Sequence, residues 1–72
     1  MRIRQYRRNL GNPRVVVYSA DGCKQADIPR GTSIGVKEYR DRYWLWSTAI
    51  EMCDYSMVLD ESNGHLMLKI KL

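Results

Sequence analysis

The residues able to support acid–base chemistry in this chain are few. His65 is the only histidine, and it follows a turn glycine. Together with Tyr6 and with Arg4 or Arg8, it could supply the acid, base and phosphate clamp of a small ribonuclease. No motif or spacing brings these residues together. Catalysis is therefore not expected, and a ribonuclease is retained only as a minor alternative.

Metal and cofactor chemistry has even less support in the sequence. Cys23 and Cys53 belong to no CxxC or CxxH pair, and His65 lies twelve residues beyond Cys53, which is not a zinc-ligand spacing. The segment 31–35 contains two glycines but lacks the phosphate-loop pattern. We expect no metal and no cofactor, and we expect both cysteines to be reduced.

The first candidate binding surface is the arginine-rich N-terminus. The first fourteen residues contain five of the twelve basic residues and no acid. Arginines that follow a phosphate backbone, with a tyrosine that stacks on a base, are typical of nucleic-acid binding. The residues assigned to this alternative function are Arg2, Arg4, Tyr6, Arg7 and Arg8.

The second candidate binding surface is the aromatic stretch from Tyr39 to Trp46. One buried helix face cannot hold every large side chain in this stretch, so some of them should meet a partner. Aromatic residues and arginine are enriched at protein interfaces. The residues assigned to partner binding are Tyr39, Arg40, Arg42, Trp44 and Leu45.

Secondary structure in the first half is predicted from periodicity and turn residues. Residues 2–8 alternate as an edge strand would, and residues 14–20 are apolar on both faces, as in a central strand. The turn residues of segment 9–13 connect the two. Residues 21–35 are predicted to be a long loop or a poorly formed strand. At fifteen residues the segment is either functional or hides a further element.

The second half is predicted to begin with a helix. Apolar residues spaced three and four apart indicate a helix from about Val36 to Cys53. A rival interpretation makes 43–46 a strand and begins a shorter helix at Thr48, where Thr48 and Glu51 would form a capping box. Propensity alone does not decide between the two.

The C-terminus is predicted to be an amphipathic strand. Leu66, Leu68, Ile70 and Leu72 alternate with Met67, Lys69 and Lys71, and residues 62–64 form a turn signal before them. If 55–60 is also a strand, the order is ββαββ; if the helix continues to Asp60, it is ββαβ. Either order gives an α+β fold in which a small antiparallel sheet packs against one helix.

Size, charge and hydropathy limit the functions to be considered. Seventy-two residues suffice for one small domain, which we expect to span 1–72. No apolar run is long enough to cross a membrane and no secretion signal is evident, so a cytoplasmic location is expected. The formal net charge is only +4, and residues 43–68 contain acids but no lysine or arginine, which weakens the case for nucleic acid.

The sequence therefore favours a non-enzymatic interaction module that docks on a protein or nucleoprotein partner. A viral or mobile-element inhibitor of a host enzyme would be a protein of this kind. Direct nucleic-acid binding is the alternative, and a homodimer is compatible with each of these functions.

Overall fold

The structure is a computed structural model that describes residues 1–32 and 43–72, and for Tyr43 and Trp44 it describes the backbone only. The elements in chain order are helix α1 (Ile3–Asn9), strands β1 (Arg14–Tyr18) and β2 (Lys24–Ile28), helix α2 (Tyr43–Ser47), a 3₁₀ turn (Ile50–Met52), and strands β3 (Asp54–Asp60) and β4 (His65–Lys71). The α+β class expected from the sequence is confirmed.

The prediction of an edge strand at residues 2–8 is wrong, because this segment forms helix α1. Helical spacing places Ile3 and Arg7 on the same side, and both are buried. Arginine and glutamine are good helix formers, and Arg7 and Arg8 lie in the last turn, where cations complement the helix dipole. Residue alternation without an apolar face was therefore a weak indication of a strand.

The four strands form one sheet in the order β2-β1-β4-β3. The β1–β2 and β3–β4 pairs are antiparallel, whereas β1 and β4 run parallel, with Val15 opposite Leu68 and Val17 opposite Ile70. The sheet is therefore mixed rather than purely antiparallel. Helix α2 lies between the second and third strands of the chain, as in the ββαββ order, but α1 precedes them.

Strand β1 is central, as predicted, and strand β2 lies within 21–35, which confirms the alternative that this segment hides a further element. In β2, Ala26 and Ile28 are buried opposite Val17 and Val15, while the other three residues are exposed. Three polar residues in a strand of five made this alternation hard to recognise in the sequence. Residues 33–35 lie outside the described part.

The helix predicted for the middle segment is confirmed at 43–47, where α2 forms, but it is too long at its C-terminal end. The part of the predicted 36–53 helix that falls on 36–42 lies outside the described residues, and α2 ends at Ser47. Ala49 has extended backbone angles and pairs with Arg2 in an isolated bridge, so no helix continues to Cys53. The rival strand at 43–46 is helical instead, and Ala49 rather than Thr48 precedes the 3₁₀ turn, without a side-chain cap.

The C-terminal hairpin follows the sequence closely. Residues 54–60 and 65–71 pair in register from Asp54 opposite Lys71 to Asp60 opposite His65. Gly64 in the connecting turn has a φ of 73° and donates its N–H to the carbonyl oxygen of Asp60 at 2.8 Å. The alternative in which a helix continues to Asp60 is thereby excluded.

The sheet has two chemically different faces. Its inner face packs against α1, α2 and the 3₁₀ turn in one core cluster, whose buried members are Ile3, Val15, Val17, Ala26, Ile28, Leu45, Trp46, Ile50, Leu68 and Ile70. The outer face carries Arg14, Tyr18, Asp27 and Lys69, with Val16 buried among them at 1% exposure. Within the described residues, no helix is long and apolar enough to span a membrane.

Candidate functional site

Arg7, one of the predicted nucleic-acid ligands, is a structural residue. Its side chain is 3% exposed and donates three hydrogen bonds to backbone carbonyl oxygens. Nε reaches Pro13 at 2.9 Å, Nη1 reaches Thr32 at 2.7 Å, and Nη2 reaches Pro29 at 3.1 Å. The guanidinium thus ties α1 to the end of β2 and is not available to a phosphate.

The remaining N-terminal ligands do not share one face. Arg4 and Arg8 are exposed and one helical turn apart, so they lie on the same flank of α1. Tyr6 lies about 200° around the helix from both, because each residue advances about 100°. Arg2 precedes the helix and is exposed beside Ala49. Residues that would share one face of a strand therefore lie on different sides of helix α1.

Tyr6 packs toward the hairpin instead of toward the arginines. Its ring meets that of Tyr55 edge to face, with centroids 5.4 Å apart and planes at 67°. Burial, followed by the neighbouring Tyr55 phenol, raises the pKa of Tyr6 above its ordinary value. The Tyr6 ring contacts the hairpin where α1 meets it.

Beside the contact between Tyr6 and Tyr55, the inner face of the β3–β4 hairpin carries exposed apolar side chains. We call them the hairpin stripe, and its members, with their exposed fractions, are Tyr55 (47%), Met57 (37%), Leu59 (58%) and Leu66 (56%). They share the inner face because Tyr55 is opposite Ile70, and Met57 is opposite Leu68, both of which are buried in the core.

The members of the hairpin stripe are close enough to form one surface. Leu59 lies directly opposite Leu66, which puts their Cβ atoms about 5 Å apart. The three β3 members alternate along the strand and so project on the same side. The stripe thus extends the inner face of the sheet onto the edge strand β3. The helices cover this part of the inner face less than they cover β1.

The surface predicted from the aromatic stretch is only partly tested by the structure. Leu45 is 1% exposed and belongs to the core cluster, so it cannot contact a partner in this fold. Tyr39, Arg40 and Arg42 lie outside the described residues, as does the side chain of Trp44. The partner-binding assignment for these four residues stays a prediction.

The outer face holds a network of charges centred on Arg14. Its guanidinium donates to both carboxylate oxygens of Asp27, at 2.9 and 2.6 Å, and to Asp60 at 3.0 Å. These hydrogen bonds raise the pKa of Arg14 and lower that of Asp27, while the Ser62 hydroxyl, followed by Arg14, lowers the pKa of Asp60. The charges at this point compensate one another.

An open groove with a volume of about 510 Å³ runs beside this network. It is lined by Arg14, Asp27, Pro29, Arg30, Asp60, Ser62 and Asn63. Its carboxylates already accept hydrogen bonds from Arg14 and Ser62, and none of these lining residues is a histidine or a cysteine. The Ser62 hydroxyl donates to Asp60, but the lowered pKa of that carboxylate makes it a weak base for activating the hydroxyl.

The residues proposed for a ribonuclease are not brought together. His65 begins β4 on the outer face, directly opposite Asp60. Tyr6 contacts Tyr55, which pairs with Ile70, so about 17 Å of strand separates that point from His65. Tyr6 also lies on the inner side of the sheet. No substrate phosphate could contact both groups in this arrangement.

The cysteines are free thiols at separate places. Cys23 is exposed, and Cys53 is partly buried, with Sγ 3.4 Å from the carbonyl oxygen of Ala49. Burial first, and then the nearby carboxylates of Asp54 and Glu51, raise the pKa of Cys53. In the described part of the chain, no three His, Cys, Asp or Glu side chains are grouped to hold a metal ion.

The hairpin stripe was missed by the sequence reasoning, although a signal for it existed. Tyr55, Met57 and Leu59 alternate with polar residues or valine between two aspartates, which is a strand pattern. Met57 lies four residues beyond Cys53, so it also fitted the apolar spacing of the predicted helix and of the alternative that continued this helix to Asp60. Its exposure depends on how far α1 and α2 extend over the sheet, which the sequence does not show.

Comparison with known proteins adds no assignment to this site. No protein-family model matches the chain, and searches of curated proteins and of solved structures found no significant similarity.

Proposed function

We propose that the chain is a non-enzymatic interaction module that docks on a protein partner through the hairpin stripe. The observation that carries this proposal is the position of four large apolar side chains, 37–58% exposed, side by side on the face of the sheet that is otherwise buried. Single exposed apolar residues need no explanation, but a contiguous group of them marks an interaction surface.

The size of the stripe supports a specific contact. Four side chains of this size, each about half exposed, present on the order of 400 Å², which is comparable to the largest apolar patches of ordinary monomers. Tyrosine and methionine are also enriched in interface cores. Tyr6, packed on Tyr55, holds one end of the surface in place before a partner arrives.

The test is the capture of binding partners from cell lysate by the tagged protein and by a Leu59→Ser, Leu66→Ser double variant. Both residues are more than half exposed, so the double variant should fold. We expect at least a tenfold loss of the captured partner. Met52→Ser is the matched control, because Met52 is 80% exposed but lies outside the stripe.

Two results would count against this function. One is equal capture by the wild type and the double variant, and the other is equal loss in the Met52→Ser control. Thermal unfolding of each variant checks that a loss of capture does not arise from a loss of folding.

A second candidate function, direct nucleic-acid binding, is favoured by one specific observation. Arg4 and Arg8 are exposed on the same flank of α1, and no described acid forms an ion pair with either of them. Two acids of the segment 51–61 are bound elsewhere, since Glu51 contacts the Met1 amine and Asp60 contacts Arg14. Two free guanidinium groups on one flank could contact successive phosphates.

This alternative is tested by titrating labelled duplex DNA and single-stranded RNA at low and at physiological salt. If both arginines contact phosphates, replacing them with glutamine should reduce the slope of log K against log salt by about 1.8 for duplex DNA. An Arg30→Gln, Lys71→Gln variant removes the same charge from other exposed positions. Binding that is absent at low salt, or equally weakened in both variants, would reject a site at Arg4 and Arg8.

A further inference from the structure

The two edges of the sheet differ in their protection against an additional strand. At one edge, β2 has five residues, begins with Lys24, has a register shift against β1 and is followed by Pro29. Short length, lysine, irregular pairing and proline are the features by which proteins block strand addition. The β2 edge is therefore protected.

The β3 edge has none of these features. It spans seven residues, contains neither lysine nor proline, and pairs with β4 without a register shift. Among the described residues, β4 is its only neighbour in the sheet. Alternate N–H and C=O groups of such an edge strand point outward without a strand partner, which makes the edge a template for another strand.

Side chains along β3 define the chemistry of a strand that would pair there. On the inner face, Tyr55, Met57 and Leu59 would lie beside alternate residues of the added strand, which should therefore be apolar. On the outer face, Asp54 is exposed at the start of β3. A lysine or arginine opposite Asp54 would form a favourable cross-strand pair.

Charge argues against a second copy of this chain as the added strand. An antiparallel pairing of two β3 strands centred on Met57 would place Asp54 opposite Asp60 of the other copy, whose carboxylate is already bound to Arg14, so Asp54 would gain no cation. β3 itself has no lysine or arginine, and Lys71 of β4, although opposite Asp54, forms no ion pair with it among the described residues. The edge therefore fits a partner whose strand supplies the cation.

We propose that β3 accepts an extended segment of a partner protein as a fifth strand, with apolar residues at alternate positions and a basic residue opposite Asp54. This inference rests on the proposed docking function and specifies how the partner binds. Backbone hydrogen bonds to the open edge provide affinity, while the hairpin stripe and Asp54 select the sequence.

The probe for this proposal is a synthetic peptide of seven residues, matching β3 in length, that alternates valine and threonine and ends in lysine on both sides. Titration into the labelled protein, followed by amide chemical shifts, should give saturable binding with a Kd of about 1 mM or tighter. The largest shifts should fall on 54–60, and those of 24–28 should not change.

Two matched comparisons separate strand addition from general adhesion. A peptide with methyl groups on alternate backbone nitrogens, facing β3, should bind at least tenfold more weakly, because its donors are removed. Asp54→Asn should weaken binding of the lysine peptide about threefold. Glu61→Gln, which makes the same charge change in the turn beyond β3, should leave binding unchanged.

Several outcomes would overturn strand addition. They are no binding at millimolar peptide, equal binding of the methylated peptide, or shifts that map away from β3. A dimer of the free protein in sedimentation equilibrium that is mediated by β3 would instead assign the edge to a second copy. If the Leu59→Ser, Leu66→Ser variant loses partner capture but the peptide does not bind, the docking function stands and strand addition is rejected. If the variant captures as much partner as the wild type and the peptide does not bind, both proposals are rejected.

Discussion

Adjacent arginines in α1 have opposite roles because of the direction in which each side chain points. Arg7 faces the sheet and has three carbonyl oxygens within hydrogen-bond distance, whereas Arg8 points to solvent. A planar guanidinium with several donors can satisfy three acceptors at once, which a lysine ammonium does less well. Residue type alone therefore does not separate a binding arginine from a structural one.

We predict that Arg7→Ala lowers the free energy of unfolding by about 3 kcal/mol, because three partly buried carbonyl oxygens lose a charged donor. Urea denaturation measures this change. Arg8→Ala is the control and should change stability by less than about 0.5 kcal/mol. Equal effects of the two substitutions would show that the hydrogen bonds of Arg7 contribute little.

The carboxylates bound to Arg14 should make the stability of the folded protein decrease at acidic pH. The pKa values of Asp27 and Asp60 are lowered in the folded protein, so their contribution is complete above the pKa of the unfolded chain, about 3.9. It is lost as the pH falls below that value through the lower folded pKa values. The thermal midpoint should therefore decrease below about pH 4.

Asp60→Asn isolates one of these carboxylates. The variant should unfold at a lower temperature than the wild type at pH 7, and the difference should shrink as the pH falls below about 3.9, because the lowered folded pKa of Asp60 then contributes progressively less stability. A difference that stays constant from pH 7 to pH 2 would contradict a charge-dependent role. Glu61→Gln serves as the control, because Glu61 is exposed and has no ion pair among the described residues.

At the scale of elements, backbone pairing with the N-terminus explains why α2 ends at Ser47 and does not continue toward Cys53. The N–H of Ile3 donates to the carbonyl oxygen of Thr48 at 3.0 Å, and the N–H of Ile50 donates to that of Met1 at 2.7 Å. These bonds require an extended backbone at Ala49. A contact between segments almost fifty residues apart thus overrides a local pattern that favoured a longer helix.

The hairpin turn, in contrast, depends on local chemistry. Gly64 has a φ of 73°, and an added Cβ would meet no atom within 4 Å. Gly64→Ala should therefore cost about 1–2 kcal/mol through backbone strain alone, whereas Gly64→Asn should cost less, because asparagine tolerates this conformation. Urea denaturation of both variants checks this, and an equal loss in the two would contradict the backbone explanation.

At the scale of the whole molecule, one apolar cluster joins both helices, the 3₁₀ turn and three strands of the sheet. Removing any one layer would expose the others, so we predict a single unfolding transition. Far-UV circular dichroism reports the backbone, and tryptophan fluorescence of a Trp44→Phe variant reports Trp46, which is 5% exposed in that cluster. The two midpoints in urea should coincide, and separate midpoints would show that the helical layer unfolds independently of the sheet.

The sequence determined those features that depend on neighbouring residues. The α+β class, the central position of β1, and the β3–β4 hairpin with its glycine turn follow from apolar runs, alternation and the conformational freedom of Gly64. Each of these signals lies within a few residues of the element it specifies.

The tertiary structure alone decided the features that depend on distant partners. Residues 2–8 form a helix because the core buries Ile3 and because carbonyl oxygens from Pro13, Pro29 and Thr32 satisfy Arg7. β2 forms because β1 offers it a pairing edge. The hairpin stripe is exposed because the core layer leaves the end of the sheet open, and the extent of that coverage is set by packing between segments rather than by local sequence.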